Sequence, residues 1–115
     1  MSDVKSAESK LRVKFNDEFI KIQLQFGRFI GDGIELTTVA TKTQYSNVID
    51  VTKKCRELNP EVPTDMYVIE DTGMNGIVIW QNTDGNVFMS KPNKGLRKIC
   101  GSLSDYIKKR IKNIK

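Results

Sequence analysis

The sequence predicts an α+β fold: a central, mostly antiparallel sheet flanked by helices. Three observations carry this. Four segments place apolar residues three and four apart, the helical period. The run Ile77-Val78-Ile79-Trp80 is apolar on both faces and is followed by an Asp84-Gly85 turn, as in a buried strand entering a hairpin. The elements then read α-α-β-α-β-β-β-α, an order that suits segregated helices and strands. At 115 residues the chain is close to the usual domain size, and residues 1–115 are expected to form one domain that needs no metal or disulfide staple.

The elements follow in order. Ser2 or Asp3 can cap a first helix with Val4, Ala7 and Leu11 on one face. Asn16 caps a second, with Asp17 and Glu18 in its first turn and Phe15 stapling against Ile20. Phe15, Phe19, Ile22 and Phe26 share a stripe, with Ile20 and Leu24 beside it, so this helix is expected to be largely buried and closed by Gly27. Gly31-Asp32-Gly33 reads as a turn and Ile34-Glu35-Leu36 as a short strand. Ser46 or Asn47 caps a third helix. Val48, Val51, Thr52, Cys55 and Leu58 line one side of it, Lys53, Lys54, Arg56 and Glu57 face away, and Asn59-Pro60 ends it.

The strands come next. Tyr67-Val68-Ile69 is one, ending in the turn residues Glu70 to Gly73. Gly76 opens the central strand through Gln81, and Asn86-Val87-Phe88-Met89 returns beside it. Ile99 and Cys100 make a last short strand. Ser102 caps the closing helix, with Asp105 at its third position and Leu103, Ile107, Ile111 and Ile114 as its stripe, Tyr106 alongside. Trp80 is expected to be a core residue with its indole N–H paired.

Composition excludes much chemistry. There is no histidine, hence no Ser-His-Asp or Cys-His nucleophile and no histidine-containing zinc site. Cys55 and Cys100 form no C-x-x-C and are expected to be reduced and buried. Glu70 and Asp71 are adjacent, so on a strand they point to opposite faces and cannot act as a facing pair. The glycines of Gly73-Met74-Asn75-Gly76 lack the spacing and the lysine of a phosphate loop. No catalytic, cofactor or metal site is expected. The charged first residues carry no leader signature and the apolar runs are far too short for a membrane span, so a cytoplasmic protein is expected.

The net charge of +5 is unevenly spread. Residues 1–90 hold 10 basic and 13 acidic side chains, a net −3, while residues 91–115 hold 9 basic and 1 acidic, a net +8. A basic tail invites a nucleic-acid reading through Lys91, Lys94, Arg97, Lys98, Lys108, Lys109, Arg110, Lys112 and Lys115. Its one aromatic, Tyr106, lies beside the apolar stripe, so a solvated helix face is preferred.

The pattern as a whole resembles the SUKH superfamily, whose fold is shared by a yeast cell-wall-assembly regulator and many bacterial immunity proteins. The carrying residues are Ala7-Glu8 through Leu11 and Phe15 to Phe26-Gly27, then Gly33-Ile34-Glu35-Leu36 and the helix Val48 to Arg56. Tyr67 to Asp71, Gly76 to Trp80, Asp84-Gly85-Asn86-Val87-Phe88 and Ser102-Leu103-Ser104-Asp105-Tyr106-Ile107 complete it. Arg12 stands where the family often has Gly, Asn16 where it often has Pro, and Arg28 where a second Gly is common. The resemblance implies a non-enzymatic immunity protein that binds a cognate toxin, nuclease-type and encoded next door, by stoichiometric occlusion. Exposed acids near the sheet, Glu35, Glu70, Asp71 and Asp84, are the expected contacts with a basic toxin cleft. The rival readings are a nucleic-acid module and a cytoplasmic scaffold or peptide-binding protein.

Overall fold

The computed structural model describes residues 2–26, 30–31, 34–39 and 47–114. Their elements are α1 (Ser2–Leu11), α2 (Asp17–Phe26), β1 (Ile30–Gly31), β2 (Ile34–Glu35), α3 (Val48–Leu58), β3 (Tyr67–Asp71), β4 (Val78–Gln81), β5 (Val87–Lys91), β6 (Gly95–Cys100) and α4 (Leu103–Ile114). The main sheet runs β3-β4-β5-β6, every pairing antiparallel, and β1 and β2 form a small hairpin. The α+β expectation holds. The Gly27 cap, Arg28, Asp32-Gly33 and Ser46 lie outside the described residues, as do the side chains of Phe26, Ile111 and Ile114.

Local signals place the helix ends. α1 closes on a Schellman motif: Val13 N–H donates to Glu8 O at 3.1 Å and Arg12 N–H to Ser9 O at 3.3 Å. The motif needs a left-handed residue after the helix, and Arg12 supplies it at φ 57°, a conformation that glycine adopts without a Cβ penalty. Asn16 caps α2, accepting from Glu18 N at 3.1 Å, while its own N–H donates to the Tyr67 hydroxyl at 2.8 Å. A proline there would keep the helix start but lose that donor. Asn47 Oδ1 caps α3 through Ile49 N at 2.9 Å and Asp50 N at 3.4 Å. Ser102 Oγ caps α4 through Asp105 N at 3.1 Å.

The sheet separates two apolar clusters, because alternate residues of a strand face opposite sides. On one face Tyr67, Ile79 and Val87 pack with Val4, Leu11 and Phe15 from the N-terminal segment, Phe19 of α2 and Leu103 of α4. On the other, Val68, Val78 and Trp80 pack with Cys55 of α3, Val62 and Met66. β4 is buried along its length and lies inside the sheet, as its two-sided apolar run requires. Trp80 is fully buried and donates its indole N–H to Ser90 Oγ at 2.9 Å. The segment 35–37 follows the open edge of β3: Thr37 N donates to Ile69 O at 2.8 Å and Thr37 Oγ1 to Val68 O at 2.8 Å, which covers edge groups that would otherwise be free to pair with another chain.

Several expectations are corrected. β6 is a full strand, not a two-residue one, and the sheet has three hairpins instead of one. The missed turn is Lys91-Pro92-Asn93-Lys94, closed by Lys94 N–H to Lys91 O at 3.1 Å with Asn93 at φ 63°, the proline-then-positive-φ pattern of a type II turn. Leu24 and Leu58, expected on apolar stripes, are 55% and 71% exposed. Gln23 is buried in their stead, because its amide donates to Thr37 O at 3.0 Å and accepts from Val39 N at 2.9 Å. Arg56 turns inward: its Nη2 donates to Leu11 O, Thr64 O and Met66 O at 3.3, 2.8 and 3.2 Å.

Candidate functional site

The four expected contact acids do not form one patch. Glu70 is corrected from an exposed acid to a buried one, 3% accessible. The Tyr106 hydroxyl and the Arg110 guanidinium both donate to its Oε1, and Glu35 N–H donates to its Oε2 at 3.2 Å. Burial of the carboxylate is sustainable because a cation and two further donors satisfy it. The same site pushes the Tyr106 hydroxyl up from its ordinary pKa, by burial first and then by the bond to and charge of Glu70.

Asp71 follows on the opposite face and is exposed, its Oδ1 accepting from Gly73 N at 3.2 Å. Glu35 is exposed beside Glu70. Asp84 is exposed too, but in the β4–β5 turn, at the end of β4 remote from Asp71. That turn is built on Gly85, whose N–H donates to Asn82 O at 3.0 Å at φ 96°. It is tied to α2 by Asn16 Nδ2, which donates to Thr83 O at 3.0 Å. Glu35 and Asp71 therefore flank Glu70 at one end of β3, and Asp84 stands apart.

The strand register also builds a concavity that sequence reasoning missed. Ile79 faces Met89, which faces Arg97, and Lys91 faces Gly95. These positions share one face of the sheet. An apolar hollow of about 240 Å³ opens among Ile77, Ile79, Met89 and Ile99, with Tyr106 and Arg110 as its far wall. A second hollow of about 360 Å³ opens among Lys91, Lys94, Gly95 and Arg97, and Met89 lines both. The available signal was the alternation of Met89, Lys91 and Arg97 around Pro92 to Gly95, which marks a hairpin with cations on one side.

The basic tail is divided accordingly. Lys91, Lys94 and Arg97 line the hollow, whereas Lys98 pairs across from Phe88 on the other face. Arg110 is engaged with Glu70 and Tyr106, and Lys109 Nζ donates to Ile99 O at 2.9 Å. Lys108 is exposed on α4, and the side chains of Lys112 and Lys115 lie outside those described.

Both cysteines are free and buried. Cys55 is pushed up to about 11, by burial first and then by the Asp71 charge, with Lys54 opposing. Burial also raises Cys100. Such thiols stay protonated and are poor nucleophiles at neutral pH. Among the described residues no group of three or more His, Cys, Asp or Glu side chains is placed to hold a metal ion. No described helix is long and apolar enough to cross a membrane.

A protein-family model, SUKH_5, described as SMI1-KNR4 cell-wall, matches residues 1–112. No curated protein and no solved structure matches the chain.

Proposed function

From the premise that the chain belongs to the SUKH_5, SMI1-KNR4 cell-wall family, we propose that it is an immunity protein, acting by binding and not by chemistry. Its partner in this reading is a cognate toxin domain of nuclease type, encoded next door and neutralised in the cytoplasm by one-to-one occlusion. The carrying observation is the extent of the family match, which takes in every described strand and helix except the last two residues of the closing helix.

Two exposed acids support a contact surface. Glu35 and Asp71 flank the buried Glu70, on backbone held by the sheet, so little ordering is required on binding. They would meet a basic surface of the toxin, with electrostatics raising the association rate and a standard-sized interface supplying affinity. Asp84 joins only a partner broad enough to span the sheet. Glu70 serves this reading as the residue that positions Glu35, not as a contact.

The test is co-expression with the neighbouring toxin domain. Restored growth and a one-to-one complex on gel filtration are expected, with Glu35→Lys/Asp71→Lys weakening the complex. A neighbouring toxin that neither binds nor is neutralised would overturn the reading.

A further inference from the structure

We infer that the hairpin face of the main sheet is a separate docking surface, and that its occupant is an acidic protein segment carrying an apolar anchor. This does not rest on the toxin reading, which uses Glu35 and Asp71. It rests on the two hollows that meet at Met89.

Charge selects the sign of the occupant. Among the described residues, the larger hollow is lined by Lys91, Lys94 and Arg97 and by no acid. Among the described residues none of these three is ion-paired; the ion pair found is Arg110 with Glu70. Three like charges around one concavity repel one another, and an anionic side chain entering it relieves that repulsion, an attraction that salt screens.

Apolar surface selects what else the occupant brings. Met89 leads from the cationic hollow into one walled by Ile77, Ile79 and Ile99. Ile77, Met89 and Ile99 pack on the core while remaining partly accessible, so a leucine- or phenylalanine-sized side chain entering there buries surface already half removed from water. The loop that borders this hollow also carries Met74, 60% exposed, an adaptable side chain suited to closing over an inserted residue.

Nucleic acid fits the same cations less well. Single strands bind by stacking bases on exposed rings beside the backbone track. Among the described residues no ring lines the cationic hollow. The ring at the apolar hollow, Tyr106, is 4% accessible and its hydroxyl is committed to Glu70. A peptide supplies both carboxylates and apolar anchors; a nucleic acid supplies the anion alone.

The experiment pans a random dodecapeptide display library against the full chain and measures the enriched peptides by fluorescence anisotropy. Enriched sequences are expected to combine Asp or Glu with Leu, Ile or Phe, and to bind less tightly as salt rises. Lys94→Glu/Arg97→Glu, at two exposed positions, is expected to lower affinity about tenfold or more. Lys91→Glu gives an independent reading should the double variant unfold. Methyl NMR shifts on binding are expected at Met89 and Ile79, and Asp71→Lys, which tests the toxin reading, is expected to leave peptide binding intact. The inference is overturned by no enrichment, by enriched peptides lacking acids, or by binding that survives the cation reversals. Tighter binding of an oligodeoxythymidine of matched charge than of the best peptide would also overturn it, in favour of a nucleic-acid site.

Discussion

Tyr106 on α4 donates its hydroxyl to Glu70 on β3, a residue 36 positions earlier in the sequence. Arg110, one turn further along α4, donates to the same carboxylate oxygen and lies 2.7 Å from the Tyr106 hydroxyl. The closing helix is thus fastened to the edge strand by a buried charge network as well as by Leu103.

Removing the acceptor should cost more than removing one donor. Glu70→Ala strands the Tyr106 hydroxyl and the half-buried Arg110 cation, so it is expected to destabilise by about 2–4 kcal/mol. Tyr106→Phe leaves the Arg110–Glu70 pair and is expected to cost about 1 kcal/mol. Urea unfolding midpoints measure both. Equal effects, or a Glu70→Ala loss under about 0.5 kcal/mol, would show that the network does not hold α4 in place.

Arg12 occupies a left-handed position at φ 57° on an exposed helix terminus. No hydrogen bond or ion pair recorded for its side chain would be lost in Arg12→Gly, and the replacement removes the Cβ penalty of that conformation. It is expected to stabilise by about 1 kcal/mol. Thermal unfolding reads this directly, and a lower Tm would contradict it.

Gln23 holds the segment after β2 by donating to Thr37 O and accepting from Val39 N. Gln23→Leu would fill a similar volume but leave two buried backbone groups unpaired, so a loss of about 2–3 kcal/mol is expected. Hydrogen exchange at Val39 should accelerate in this variant more than exchange in β4. Unchanged protection at Val39 would refute the tie.

The thiols carry the pH dependence. Cys55 rises from 9.0 to about 11 on folding, because burial disfavours the thiolate. The folded state then holds its proton where the unfolded state has released it. The corresponding stability is present in full below pH 9.0 and is lost as pH rises through about 11. Raised hydroxyls at Tyr67 and Tyr106 continue the decline at higher pH. Urea midpoints are expected to fall from pH 9 upward, less steeply in Cys55→Ala. Neither thiol should react with an aromatic disulfide reagent at pH 8 until the protein unfolds. Prompt reaction in the native state would show that burial does not protect them.

Much of the fold was legible because its signals are local. Asn47 and Ser102 cap by reaching backbone groups two or three residues ahead. The Asn59-Pro60 stop, the Asp84-Gly85 turn and the two-sided apolar run of β4 are likewise readable within a few residues. The β5–β6 hairpin was missed although Pro92 to Gly95 carried a turn signal, since the adjacent Arg97 and Lys98 interrupt the apolar alternation of β6.

The candidate sites were less legible. Glu70 and Asp71 read alike as turn acids, yet the first is buried and the second exposed. The difference comes from Tyr106, Arg110 and Glu35, residues no spacing rule connects to it. Arg56 sat on the polar side of its helix by periodicity, but three carbonyls from two distant segments draw it in. The cationic hollow exists only once Met89 and Arg97 are paired in register.

Periodicity, capping and turn chemistry therefore decided which segments became helices and strands, the α+β class and the family pattern, because these depend on neighbours along the chain. Tertiary structure decided which charges are buried, which are exposed and which converge. A charged group is stable in the interior only where distant partners replace its water, and such partners are brought together by folding alone.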